Sequence, residues 1–256
     1  MTSPCATSSG KCPDRTVFPH IRTIGTDGLL VSFADALSEP ANRAALAFRA
    51  AIEAADLPGL LETSASLVSA YLRFDISVSD HGAVRSALET LLRTQNWLAA
   101  PLPGGRRRWS IPTVYGTELA PQLEEAAAVA GLTPEEAIAS ISNAQVRVQT
   151  IGFAPGMPYL GELPPEWAIP RQTQLTGRVP VGGLCVAIRQ LVLFPVDTPT
   201  GWRHIGQTAF SLFRPDDAAP FALRPGDEAR FVPVTAEALA NMRSVPDGGA
   251  TFEVLR

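Results

Sequence analysis

Two textures of hydrophobic and polar positions follow one another along the chain. Residues 17–24 (VFPHIRTI) and 28–33 (GLLVSF) are short apolar-rich runs, split by Gly25, Asp27 and Gly28. That pattern predicts two strands joined by a turn. Residues 41–56 (ANRAALAFRAAIEAAD) set Leu46 and Ile52 among alanines on one face, which predicts a helix ended by Pro58-Gly59. Strands are predicted over 60–64 and 67–74, the second with Leu67, Tyr71 and Phe74 as its bulky positions. A helix is predicted over 81–94, capped by Ser79 or Asp80, with Val84, Leu88, Leu91 and Leu92 at helical spacing. The order β-β-α-β-β-α describes a small α+β domain over residues 17–95.

The second texture is shorter in period and rich in breakers. Residues 96–107 (NWLAAPLPGGRR) are dense in Pro and Gly and predict a linker. A strand over 108–115 and a helix over 118–130 follow, and Thr133-Pro134-Glu135-Glu136 is a capping box opening a helix to about 142. From residue 145, QVRVQTIGF alternates as a strand does. RVPVGGLCVAI, LVLFPV, GWRHIGQTAFSLF and GDEARFVPV follow as strand-sized runs between Gly and Pro. The 20 Gly and 23 Pro exceed the usual share, and many lie in this half. Gly at corners and Pro at edges suit a closed or nearly closed antiparallel barrel over 108–256. The fold class is therefore α+β. Residues 1–16, rich in Ser, Thr and Pro and without an apolar run, predict a disordered tail and not a signal peptide.

Composition narrows the function classes. A net charge of −4 gives no electrostatic case for nucleic acid. Arg106-Arg107-Arg108 is a short basic run and reads as a solvated linker or strand edge rather than an anion contact. Cys5, Cys12 and Cys185 form no C-x-x-C pair, so neither a disulfide framework nor a zinc site is expected. No segment has the length and apolarity of a membrane helix. The expectation is a cytoplasmic protein. Phosphate-loop, H-E-x-x-H and G-x-S-x-G signatures are absent. His20, His81 and His204 are far apart, so no metal site is expected, and His204 reads as a half-exposed barrel histidine.

The densest motif is Gly152-Phe153-Ala154-Pro155-Gly156-Met157-Pro158-Tyr159-Leu160-Gly161. Pro limits φ and Gly permits φ > 0, so this segment has a largely fixed path. Phe153, Met157, Tyr159 and Leu160 give it an apolar, aromatic side. It is either a structural corner or a pocket wall or partner surface at a barrel mouth.

This loop is followed in order by Pro170-Arg171, by Arg178-Val179-Pro180-Val181-Gly182-Gly183, by Phe194-Pro195, and by Thr198-Pro199-Thr200-Gly201-Trp202-Arg203-His204-Ile205-Gly206-Gln207-Thr208. Leu223-Arg224-Pro225-Gly226-Asp227 and Val232-Pro233 complete the series, with Gly28–Phe33 and Leu72-Arg73-Phe74-Asp75 in the N-terminal half. The series resembles the carboxyltransferase C/D-type family, which includes KipI, the B subunit of 5-oxoprolinase, allophanate hydrolase subunit 1 and part of urea amidolyase. The resemblance implies a cyclophilin-like barrel after a small α+β domain. It implies ATP as cofactor, shared with partners: an A/B-type subunit (like the C subunit of 5-oxoprolinase) and a LamB/YcsF-type subunit. The reaction implied is ATP-dependent opening of a cyclic amide. A KipI-like inhibitor of a sensor histidine kinase and a different carboxyltransferase-type chemistry are the alternatives.

Phosphorylating an amide oxygen calls for cations and N–H donors. Arg178 and Arg171 are the leading candidates for that role because both lie in family-matching motifs, with Arg147 and Arg203 behind them. Gly182 and Gly183 could offer backbone amides to an anion. Phe153, Pro155, Gly156, Tyr159, Gln190, Trp202, Arg203 and His204 are the candidate substrate or partner contacts. The chain also departs from the family. Ile141 stands at a His place and Gln122 at an Asp place. LTGRVP, VGGL and QLVLFP each lack a polar group that the family carries. The scaffold is kept more faithfully than the chemistry.

Overall fold

The computed structural model describes residues 17–255. The expected tail 1–16, with Cys5 and Cys12, lies outside the described residues. The strands of the N-terminal lobe are β1 (His20–Ile24), β2 (Gly28–Ser32), β3 (Leu60–Ser66) and β4 (Ser69–Phe74). They form one antiparallel sheet in the order β1-β2-β4-β3. Helices α1 (Glu39–Ala54) and α2 (His81–Leu92) pack with this sheet. Ser38 caps α1 by accepting from the Ala41 N–H, and Asp80 caps α2 by accepting from the Ala83 N–H at 2.8 Å. Leu29, Val31, Phe48, Ile52, Leu72 and Leu88 are fully buried between sheet and helices.

Two segments of this lobe differ from their sequence pattern. Leu67 does not begin a strand. It turns the β3–β4 hairpin with a φ of 53°, and β4 starts at Ser69. The segment 96–107 is more than a spacer. Trp97 sits in the first core, edge-on to Phe48 at 4.9 Å, and its indole N–H donates to the Leu92 carbonyl.

The second lobe is a closed barrel of seven strands. In chain order these are β5 (Arg107–Tyr115), β6 (Val146–Ile151), β7 (Pro158–Gly161), β9 (Gly183–Ala187), β10 (Gln190–Leu193), β12 (Arg203–Thr208) and β13 (Glu228–Pro233). The circuit runs β12-β9-β10-β7-β6-β13-β5 and closes through β5–β12. Every pair is antiparallel except β13–β5. The last strand, β14 (Thr251–Val254), extends the sheet beside β5. A separate two-stranded ribbon joins β8 (Thr176–Val179) to β11 (Thr198–Thr200).

Helices α3 (Leu123–Ala130) and α4 (Pro134–Asn143) cover the barrel, and α5 (Ala236–Met242) follows β13. The Thr133–Glu136 capping box forms in both directions. The predicted 118–130 helix begins late, because Thr117 (φ 62°) opens a turn and Gln122 is tied to β12 through its backbone. Trp109, Ile111, Val148, Trp167, Leu193 and Phe231 are among the side chains that fill the barrel core.

The basic run is not a solvated edge. Arg107 pairs with the buried Asp227 at 2.5 Å and stacks on Trp109 and Phe252. Glu228 is shared between Arg106 at 2.9 Å and Arg108 at 3.0 Å. These pairs hold β5 beside β13.

The lobes meet along β6. Asn42 of α1 is buried and donates both amide hydrogens, one to the Leu67 carbonyl at 2.6 Å and one to the Gln149 carbonyl at 3.0 Å. Its oxygen accepts from Arg147, which also pairs with Glu39. No helix of the described residues is long and apolar enough to cross a membrane.

Candidate functional site

Strand β6 runs out of the lobe seam directly into the Gly152–Gly156 loop, and β7 returns from it. The loop is closed by its own backbone, with Gly152 N–H to Met157 O at 3.1 Å and Met157 N–H to Ala154 O at 3.0 Å. Gly156 has a φ of 74°, and a Cβ there would lie 2.9 Å from the Leu212 carbonyl, so glycine is required on both counts. Phe153 also has a positive φ, 73°, and its side chain is 77% exposed.

Phe153 borders two cavities. The smaller, about 200 Å³, lies on the outer side of β7, β9 and β10, between the loop and the β8–β11 ribbon. Its walls include Phe153, Met157, Tyr159, Phe194, Trp202 and Arg171. Tyr159 meets Trp202 edge-on at 6.1 Å, and the Arg171 guanidinium lies over the Trp202 ring at 5.1 Å. Thr198 and Thr200 also line it, but their hydroxyls are engaged by the Val196 carbonyl and the Trp202 N–H. The polar character of the cavity therefore rests on Arg171 and the Tyr159 phenol. Among the described residues that line it there is no carboxylate, imidazole or thiol.

A polar frame behind the cavity holds it in shape. Buried Arg203 pairs with Glu125 at 2.9 Å and donates to the Pro170 carbonyl at 2.7 Å, which fixes the residue before Arg171. Gln172 donates to Thr176 and to the Trp202 carbonyl. Gln122 donates to Gln172 and accepts both from the Thr176 hydroxyl and from the His204 N–H. Arg203 and His204 thus support the cavity rather than line it. Leu175, Phe194, Thr198 and Thr200 are wall residues that the sequence does not single out as contacts, although Phe194, Thr198 and Thr200 lie in the family motifs.

The remaining candidates lie elsewhere. Arg178 does not line the cavity. It is exposed and pairs with Asp197, whose other oxygen accepts the Val181 N–H at 2.9 Å. Those two hydrogen bonds hold Asp197 below the usual carboxylate range. Gly182 and Gly183 offer no amides to an anion, because Gly182 N–H bonds the Phe194 carbonyl at 2.8 Å and Gly183 N–H the Pro180 carbonyl at 3.0 Å. A Cβ on Gly182 would lie 2.5 Å from the Thr208 carbonyl, which is why glycine stands there.

His204 is not half-exposed but 3% exposed, and burial lowers its pKa, so it is neutral near pH 7. Burial pushes the Cys185 thiol up, so it is no nucleophile. Gln190 bonds Gln149 at 2.7 Å and lines a different, smaller cavity with Glu39 and Glu162. Arg147 belongs to the lobe seam. Ile141, at the family's His place, is fully buried in the barrel core. Pro155 and Gly156 face the second, larger cavity, between the lobes.

A closed barrel preceded by a small α+β lobe is the architecture of carboxyltransferase-type proteins. The K. lactis urea amidolyase shares the fold at a TM-score of 0.66, with 15% identity, over 95% of this chain and 17% of that one. The chain belongs to the carboxyltransferase domain, subdomain C and D, family, which it matches over residues 19–223. It is 33% identical to the B subunit of 5-oxoprolinase from Bacillus subtilis (strain 168) over 86% of this chain and 95% of that protein. It is 39% identical to the corresponding 5-oxoprolinase component of Escherichia coli O157:H7 over 57% of this chain and 68% of that protein. The crystal structure of TTHA0988 matches with a TM-score of 0.67 and 31% identity, over 85% of this chain but only 40% of that longer one.

Proposed function

We propose that this chain is the B-type subunit of an ATP-dependent 5-oxoprolinase-like hydrolase and binds the small cyclic acid in the aromatic cavity. The observation that carries this reading is the composition of the cavity wall. It offers flat faces from Tyr159 and Trp202 and one guanidinium, Arg171. A lactam carboxylate is flat, small and singly anionic, so its ring suits the aromatic faces and its carboxylate suits Arg171. The relatives named as B subunits of 5-oxoprolinase support the same substrate class.

An unactivated lactam resists hydrolysis. Transfer of the γ-phosphoryl group of ATP to the lactam oxygen, with ADP leaving, makes the ring carbon electrophilic. Water then adds to that carbon and the C–N bond breaks, the freed nitrogen taking a proton, which leaves γ-glutamyl phosphate; a second water hydrolyses this acyl phosphate to glutamate and phosphate. The attack of water needs a proton acceptor, and the described cavity wall holds no carboxylate or imidazole to serve as one. In this proposal the acceptor comes from an A/B-type or a LamB/YcsF-type subunit that meets the cavity across an interface. Arg171 is a binding and orienting residue in this scheme. Arg178, braced by Asp197, holds the ribbon that forms one cavity wall.

Co-expression with an A/B-type and a LamB/YcsF-type subunit, followed by assay of 5-oxoproline-dependent ATP hydrolysis, tests the proposal. Turnover by the complex is expected, and Arg171→Ala is expected to raise KM for 5-oxoproline by roughly tenfold or more, the loss of one charge-assisted pair. No complex and no turnover would sink it, and capture of a histidine kinase instead would favour the KipI-like alternative.

A further inference from the structure

We infer that the free edge of β14 is a docking strand for a second copy of this chain, which continues the sheet across a two-fold axis. Strand β14 ends the sheet, and all of its residues, Thr251–Val254, are exposed. Its backbone direction follows from its neighbours. Leu255 donates its N–H to the Arg106 carbonyl at 2.7 Å, whereas the Arg107 N–H points the other way, to Asp227 at 2.9 Å. Antiparallel ladders alternate, so Glu253 and Thr251 also bond β5, and the N–H and C=O groups of Phe252 and Val254 face outward. Among the described residues, no partner takes those outward groups. Such an edge is a template for another strand.

Charge and side-chain pairing select how the second copy sits. A two-fold axis perpendicular to the sheet pairs residues on the same face, so it passes between a residue and its own copy. Two positions of the axis use both outward residues. An axis at Glu253 sets that carboxylate against its own copy, which is repulsive. An axis at Phe252 sets Glu253 opposite the Thr251 hydroxyl of the second copy, a donor for the carboxylate. Glu253 keeps its pair with Arg108 at 3.1 Å, so no charge is left uncompensated. Phe252 then meets its own copy. Each Phe252 ring already lies 4.6 Å from Trp109, so the pair completes a row of aromatic rings running from one sheet into the next.

The backbone bonds follow from the same axis. Phe252 exchanges N–H and C=O with its own copy. The Val254 N–H donates to the Ala250 carbonyl of the second copy, but the reciprocal bond does not form, because the Ala250 N–H already donates to the Asp247 carbonyl at 3.1 Å. Phe252, 49% exposed, and Val254, 62% exposed, are the apolar side chains that the second copy covers. A strand this short buries well under the ~1,600 Å² of a standard stable interface, so the association is weak and depends on concentration. It is independent of the reaction proposed above.

Sedimentation velocity of the full chain from about 10 µM to about 1 mM tests the inference. A reductant keeps Cys5 and Cys12 from linking copies through a disulfide. A dimer is expected to grow in as concentration rises. Val254→Pro is expected to weaken it roughly tenfold or more, because it removes an outward N–H and puts a ring where the second copy approaches. Thr251→Glu is expected to do the same, since it sets two carboxylates opposite each other on either side of the axis. Both positions are exposed and neither change removes a backbone bond to β5, so the monomer keeps its fold, which thermal melts check. Glu253→Gln is expected to change the association by no more than about twofold. A chain that stays monomeric throughout overturns the inference, as does a dimer indifferent to both Val254→Pro and Thr251→Glu. A roughly tenfold stronger dimer in Glu253→Gln would set the two glutamates against each other and overturn the axis at Phe252.

Discussion

At the scale of single residues, Phe153 stands out because it obeys neither rule for its place. A bulky residue at φ 73° is strained by roughly 1–2 kcal/mol, and a 77% exposed ring returns little burial energy to offset that. Phe153→Gly removes the strain but makes the unfolded chain more flexible, so the net change in stability is expected to be small, within about 1 kcal/mol. Affinity for the small acid is expected to drop several-fold, because the ring overhangs the cavity. Thermal melts and ligand titration on the same variant check this. A large loss of stability would show instead that the ring is a structural plug. The loop and its rigidity are legible in the sequence, because Gly and Pro announce their dihedral limits locally. The positive φ of a phenylalanine is not, nor is the fact that the amides of Gly182 and Gly183 are already bonded to Phe194 and Pro180. Which donors are free depends on neighbours brought together by the barrel.

At the scale of elements, hydrophobic period and capping chemistry place most strands and helices, and the Thr133–Glu136 box forms as written. Pairing is less legible. Nothing local says that β13 runs parallel to β5, yet this pairing turns Arg106, Arg107 and Arg108 from a supposedly solvated run into the partners of Asp227 and Glu228. Burial alone would raise the Glu228 carboxyl, but hydrogen bonds from Arg106, Gln145 and Arg108 outweigh it and hold the group below the usual range. The folded protein therefore binds this proton more weakly than the unfolded chain. The stabilisation is complete above the ordinary glutamate pKa of about 4.3 and is lost as pH falls through the depressed folded value. Glu228→Gln is expected to be less stable than the parent near neutral pH, with the gap closing in acid. Urea midpoints from neutral pH down to about pH 3 check it. A gap that stays constant with pH would mean that Glu228 acts by shape and not by charge.

At the scale of the molecule, the two textures of the sequence correspond to two large hydrophobic cores, one under the four-stranded sheet and one inside the barrel, with a third, smaller cluster around Met157, Phe194 and Trp202 beside the second. What couples them is invisible in the sequence, because Asn42 and Gln149 lie 107 positions apart and Asn42 looks like one polar residue on an alanine-rich helix. Asn42 is buried, and both ends of its amide are used: it donates to Leu67 and Gln149 and accepts from Arg147. Asn42→Ala strands two carbonyls and leaves the Arg147 guanidinium with only Glu39, at an expected cost of about 3 kcal/mol. The same strand, β6, carries the seam at one end and the Phe153 loop at the other. Loosening the seam is therefore expected to act on the site as well as on stability. The parent is expected to unfold in urea as one transition. Asn42→Ala should shift the midpoint down and split the curve, the lobe around Trp97 separating from the barrel around Trp167, which tryptophan fluorescence and far-UV circular dichroism would report at different denaturant concentrations. A single transition at the parental midpoint would show that the lobes are joined by something other than this amide.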